Sequence, residues 1–230
     1  MVLRFRRKRG REMMKVSRLA IVLTVLAYLL SLAALPYLPD EVAIHWNASG
    51  EADGFSNKWF GALLPPVLMT GFIILMGVMP RFDPKKENYA KFSHVYNIFN
   101  VALIAFFLIL HIVTLAYNLG FSIDMSLFAP LGIGGLFLVI GNYMPKIKHN
   151  YFIGIRTPWT IESETVWHKT HRLGGKVFIA MGILLMLTGF LPGEGEMKFV
   201  FLMLIIILGN LYLIIQSFIY FRHEQRKRSS

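Results

Sequence analysis

Apolar residues run along this chain in six long blocks, at roughly 17–38, 59–80, 94–118, 127–144, 176–191 and 198–221. Each block approaches the ~20 residues a helix needs to cross ~30 Å of hydrocarbon. Their period is not the alternation of a barrel strand, so hydrogen-bond satisfaction in lipid demands helices. The pattern predicts an all-α integral membrane protein of about six transmembrane helices. Gly132, Gly134 and Gly135 in the fourth block let neighbouring helices approach closely.

Charge orients the blocks. The chain carries 24 Lys and Arg against 13 Asp and Glu, a net charge of +11. The cations cluster in four places: Arg4, Arg6, Arg7, Lys8, Arg9 and Arg11; Arg81, Lys85, Lys86 and Lys91; Lys146, Lys148, Arg156, Lys169, Arg172 and Lys176; Arg222, Arg226, Lys227 and Arg228. With six spans all four clusters share one side. The other side holds Lys58 and Lys198 among Asp40, Glu41, Glu51, Asp53, Asp124, Glu194 and Glu196. Lys/Arg-rich connections face the cytoplasm, so both termini are expected inside a cell (plasma) membrane. The expected layout is a basic cytoplasmic head (1–16), a helical hairpin (17–80) with an extracytoplasmic cap (39–59), a cytoplasmic connection (81–93), a four-helix region (94–221) and a basic tail (222–230). The head reads as an orientation signal that touches anionic lipid rather than nucleic acid. Translation could start at Met1, Met13 or Met14, and cleavage after the small residues near Ser31 is the alternative reading of the first block.

Little chemistry is available inside the spans. No Asp, Glu, Lys or Arg lies well within one, so a coupled transporter lacks its usual midplane charge. The polar candidates are His94, Asn97, Asn100 and His111, either bonds between helices or the path of a small permease. There is no cysteine, which removes thiolate chemistry, and no phosphate loop or serine–histidine–carboxylate pattern appears. The chain is therefore read as non-enzymatic, without cofactor or metal; the pairs His45 with Asp53 and His168 with His171 are weak zinc alternatives.

Two loops are unlike plain connectors. In the cap, Val42, Ile44 and Trp46 alternate with Ala43 and His45, predicting a short strand. Asn47 to Gly50 then reads as a turn and Asp53-Gly54 as a second turn. Trp46 and Trp59 are expected at headgroup depth. The inner loop, 145–176, is too long for a connector and rich in aromatics. Pro158 holds Thr157 extended, and Thr160 is expected to cap a helix carrying Glu162 and Glu164 in its first turn. On that helix Trp167, Thr170, His171 and Gly174 fall on one face. That face is expected to pack on Arg156 and Trp159, with Arg156 stacked on an indole.

These loops carry a resemblance. GNYMPKIKHNYFIGIRTPWTIESETVWHKTHRLGGKVF, residues 141–178, closely resembles the signature of the SdpI-like family, with Asn150, Tyr151, Gly154, Arg156, Thr157, Pro158, Trp159, Trp167, Thr170, His171 and Gly174 in order. His149 stands where the pattern more often has proline. LPDEVAIHWNASGEADGF, containing His45, Trp46, Asn47, Gly50 and Asp53, is similar to the small domain of unknown function that often precedes that signature. The resemblance implies a membrane protein that protects a cell from a secreted toxic peptide. It also implies a receptor that holds a soluble transcriptional repressor at the membrane. The signature loop would then be a structural or partner-binding element.

Overall fold

A computed structural model describes residues 17–192 and 195–229; the expected basic head, the choice of start codon and Glu194 lie outside the described residues. The chain is mostly helical. Among the described residues five helices are long and apolar enough to cross a membrane: α2 (Lys58–Phe82), α3 (Tyr89–Asn118), α4 (Met125–Tyr143), α6 (Glu164–Thr188) and α7 (Gly195–Ser229). A shorter apolar helix, α1 (Arg18–Ala34), precedes them. Between α1 and α2 lie strands β1 (Glu41–Trp46) and β2 (Ala52–Asn57), and a five-residue helix α5 (Pro158–Glu162) leads into α6.

Burial follows the logic of lipid rather than water. On α1 the buried residues are Ala20, Thr24, Ala27, Ser31 and Ala34, all small, at alternate spacings of four and three. The large side chains Val22 and Leu29 are exposed by 60% and 58%. A water-soluble helix does the reverse; close backbone approach with bulky residues outward is the pattern of association in a membrane. α7 also turns bulky residues outward, with Ile207 and Leu208 exposed, while it buries Leu202, Leu213 and Ser217.

The helices form two groups of three. α1 packs on α2 and α3, and α4 and α7 both pack on α6. Met69, Ile104 and Leu108 fill the first group with Ala20 and Ala27. The second is built on glycine. A Cβ on Gly141 would sit 2.8 Å from the Gly175 carbonyl oxygen, and one on Gly134 2.6 Å from that of Gly182. Gly134 therefore makes the expected close approach, whereas Gly135 faces open space. At one end, Trp167 of α6 joins Met76, Tyr89, Phe92 and Tyr96 of the first group in a single core.

Several boundaries differ from the sequence expectation. The third helix begins at Tyr89 rather than near 94, with non-helical φ/ψ at Phe92 where two helical pieces meet. The expected fifth span is the far half of α6, which runs unbroken from Glu164 because Gly174 and Gly175 pack tightly instead of ending it. Likewise α7 continues through the basic tail to Ser229.

The cap is an antiparallel hairpin, with Glu41 opposite Asn57 and Trp46 opposite Ala52. The Asn47 side chain accepts from Ser49 and Glu51 N–H, which closes the expected first turn. The second expected turn, Asp53-Gly54, is instead part of β2. Glycine is needed there because the His45 side chain crosses it, with a Cβ on Gly54 only 2.9 Å from His45 Cβ. Trp46 packs edge-on against Tyr117, while Trp59 is exposed.

Candidate functional site

The signature residues gather where the start of α6 meets segment 147–157. The predicted single helix is two, each with its own cap. Thr157, not Thr160, caps α5, and Thr160 returns a bond to the Thr157 backbone, forming a capping box. Thr160 Oγ1 lies 2.8 Å from the Ile155 carbonyl. Ser163 then caps α6, accepting from Val166 N–H. Its hydroxyl also donates to Glu224 of α7 at 2.5 Å.

Trp167, Thr170, His171 and Gly174 form one buried face, as the spacing predicts. They do not pack on Arg156 and Trp159. Trp167 donates from Nε1 to the Ile147 carbonyl at 3.0 Å. Its indole meets two imidazoles, with ring centroids 3.9 Å from His171 and 5.0 Å from His149. His171 Nε2 accepts from Ile155 N–H at 3.1 Å. Its Nδ1 faces the Trp167 carbonyl at 2.8 Å and must donate to it. Both ring nitrogens are committed, which specifies a neutral imidazole with the proton on Nδ1. Gly154, at φ +117°, crosses directly over that ring, and a Cβ there would collide with His171 Nε2.

Asn150 organises the turn that leads to Gly154. Its oxygen accepts from Phe152 and Ile153 N–H at 2.9 and 2.7 Å, and its amide donates to the Lys148 and Ile153 carbonyls. Arg156 is exposed and donates to the Tyr151 carbonyl at 2.9 Å. The expected indole partner has gone elsewhere, because Trp159 packs on Phe218 of α7. Thr157 meets Ser217 at 3.0 Å, so the loop is stitched to α7 at three points.

Sequence reasoning missed the group that receives this loop. Asp83, 2% exposed at the end of α2, accepts from Lys85 N–H, Tyr89 O–H and Tyr151 N–H at 2.7 to 2.9 Å. Lys85 Nζ donates to His149 Nδ1 at 2.7 Å, and Asn88 donates to the His149 carbonyl. Burial and the neighbouring Lys85 charge hold His149 below the ordinary histidine pKa. The available cue was Asp83-Pro84, an acidic residue before proline at a helix end.

The remaining candidates are dispersed. His45 and Asp53 are paired at 2.5 Å on the exposed cap. His168 is exposed and makes a loose pair with Glu164 at 3.5 Å. His94 is exposed, while Asn100 and His111 are buried in the bundle. His111 Nε2 meets Ser31 Oγ at 2.9 Å, and Ser31 also reaches the Ala62 carbonyl at 2.7 Å, a clamp across three helices. Among the described residues no three His, Cys, Asp or Glu are grouped to hold a metal. Under the cap, His45, Trp46, Thr114, Ser126 and Lys198 are among the residues around a largely apolar cavity of about 550 Å³.

Known proteins resemble the chain along most of its length. Residues 22–70 match the model of DUF1648, a domain of unknown function. The chain is 27% identical over 217 residues to "Immunity protein SdpI" of Bacillus subtilis (strain 168), covering 94% of this chain and 100% of that one. No solved structure matches significantly. Residues 146–217, which run from the signature loop into α7, match the model of the SdpI/YfhL protein family, with the DUF1648 match in front.

Proposed function

We propose that this chain is a multi-pass plasma-membrane immunity protein, non-enzymatic, that protects its cell from a secreted toxic peptide. The carrying observation is its end-to-end similarity to the Bacillus subtilis immunity protein. The apolar cavity beneath the cap is the surface we assign to the peptide. It opens between β1, α3, α4 and α7 and is rimmed by His45, Asn47, Ser126 and Lys198. A peptide that inserts into membranes must carry an apolar face, and such a cavity offers that face burial with a few polar fixing points. In this reading α1 is a sixth span and both termini are cytoplasmic. The 17 residues of α1 rise about 26 Å, and the apolar turn to Leu38 completes the crossing. The signature loop then faces the cytoplasm, where the exposed end of α7 is the surface for a soluble repressor.

The test is protection of a sensitive host. Cells expressing the chain should survive an exported toxic peptide of the sporulation-delaying kind that kills the empty-vector strain. Filling the cavity by Ala129→Trp should abolish survival without lowering the amount of protein in the membrane. Full killing despite normal insertion of the unaltered chain would overturn the immunity reading.

A further inference from the structure

A second cavity, about 500 Å³ and half open, lies at the other end of the bundle, between the two helix groups. Its walls are apolar: Phe99 and Leu103 of α3, Leu136 and Ile140 of α4, and Phe178 of α6. The volume is within the ~300–1,000 Å³ of small-ligand sites. One end is formed by the signature turn, Gly154 to Thr157, and there the lining turns cationic through Arg156.

Arg156 is held but not neutralised. Of the five guanidinium N–H groups, the structure engages one nitrogen with the Tyr151 carbonyl. Among the described residues no carboxylate reaches ion-pair distance of Arg156. The buried Asp83 carboxylate is already satisfied by Lys85, Tyr89 and Tyr151. The Tyr151 contact fixes the guanidinium at the loop while leaving its remaining donors for an anion, and guanidinium matches phosphate oxygens in a two-point fork.

We propose that this cavity binds one anionic phospholipid, its phosphate on Arg156 and an acyl chain between α3, α4 and α6. A fixed cation at one end of an apolar slot matches an amphiphile with a negative head and a hydrocarbon tail. In a protein whose outer faces are bare Leu, Ile and Val, lipid is the amphiphile always at hand. The site would fasten the signature turn to the helices and join the two helix groups. It is separate from the cavity beneath the cap and does not depend on the immunity reading.

The test uses the full chain purified in a neutral detergent, titrated with phosphatidylglycerol or phosphatidylcholine of identical chains. Unfolding temperature and lipid retained in native mass spectrometry are the readouts. Phosphatidylglycerol should be retained near-stoichiometrically and should raise the unfolding temperature more than phosphatidylcholine. Arg156→Gln should erase that preference, with retention falling about tenfold, the weight of one strong charged contact. Arg226→Gln, in the basic end of α7, should keep it. Ile140→Trp, which fills the slot and leaves Arg156 in place, should also lose retention, and it carries the test alone if Arg156→Gln does not fold. Equal response to both lipids, undiminished preference in Arg156→Gln, or undiminished retention in Ile140→Trp would overturn the proposal. So would an equal shift with glycerol phosphate, which would reduce the site to a bare anion contact.

Discussion

His171 and His168 are three positions apart on one helix and have opposite fates. His171 is fully buried and serves both the Ile155 N–H and the Trp167 carbonyl. His171→Ala leaves a buried donor unpaired and a void beside Trp167, a cost of about 2–4 kcal/mol. His168→Ala removes only a loose exposed pair, worth less than about 0.5 kcal/mol. His171→Asn should recover part of the loss, because an amide can still bond one of the two partners. Thermal unfolding of the purified variants decides this; equal destabilisation would argue against a packing role. His149 adds a pH dependence. Its folded pKa lies below the ordinary 6.5 because of burial and Lys85, with Glu164 opposing and His168 reinforcing. The unfolded chain therefore binds the proton more readily. Stability should be intact above about pH 6.5 and fall as pH drops below it. His149→Phe, which keeps a ring on Trp167, should lessen that fall in a melt series from pH 8 to 5, the remainder belonging to His171, whose Nε2 must stay unprotonated to accept from Ile155. An unchanged slope would mean other groups carry it.

At the scale of elements, adjacent glycines separate packing from composition. Gly134 and Gly135 are both in mid-helix, where alanine is normally better by up to about 1 kcal/mol. Gly135→Ala meets nothing and should be neutral or stabilising. Gly134→Ala meets the Gly182 carbonyl and Met186, so α4 and α6 must separate, at a cost of about 1–3 kcal/mol. Unfolding of the two variants in detergent should move in opposite directions, and parallel shifts would refute glycine-mediated packing. The sequence shows a run of glycines in this block. It does not show which of them faces a neighbour, since that depends on how α6 is rotated. The paired caps at Thr157 and Ser163 teach the same lesson. Both residues are ordinary capping types, but only the break at Ser163, fixed by Glu224 of α7, divides the segment into two helices.

For the whole molecule, the distribution of Lys and Arg predicts sidedness. Reporter fusions after Lys86 and after His168 should report cytoplasm, and a fusion after Gly50 should report outside. An external signal after His168 would reverse the connection between α4 and α6 and refute six spans. The same arrangement puts the cap cavity and the signature loop on opposite faces, so anything passing between them must travel through helices such as α3 and α7, which touch both regions.

Hydrophobic block length and side-chain type alone determined that this is a helical membrane protein, that a short strand opens the cap, and that Trp167, Thr170, His171 and Gly174 share a face. These properties have a local period, so a local reading finds them. Tertiary structure alone decided what that face meets. It set His149 against Trp167, gave Trp159 to α7 rather than to Arg156, and buried Asp83 beneath a loop 68 residues away. Each of those contacts joins segments whose spacing along the chain carries no periodic signal, and each is selected only when the buried polar groups of the assembled bundle must all find partners.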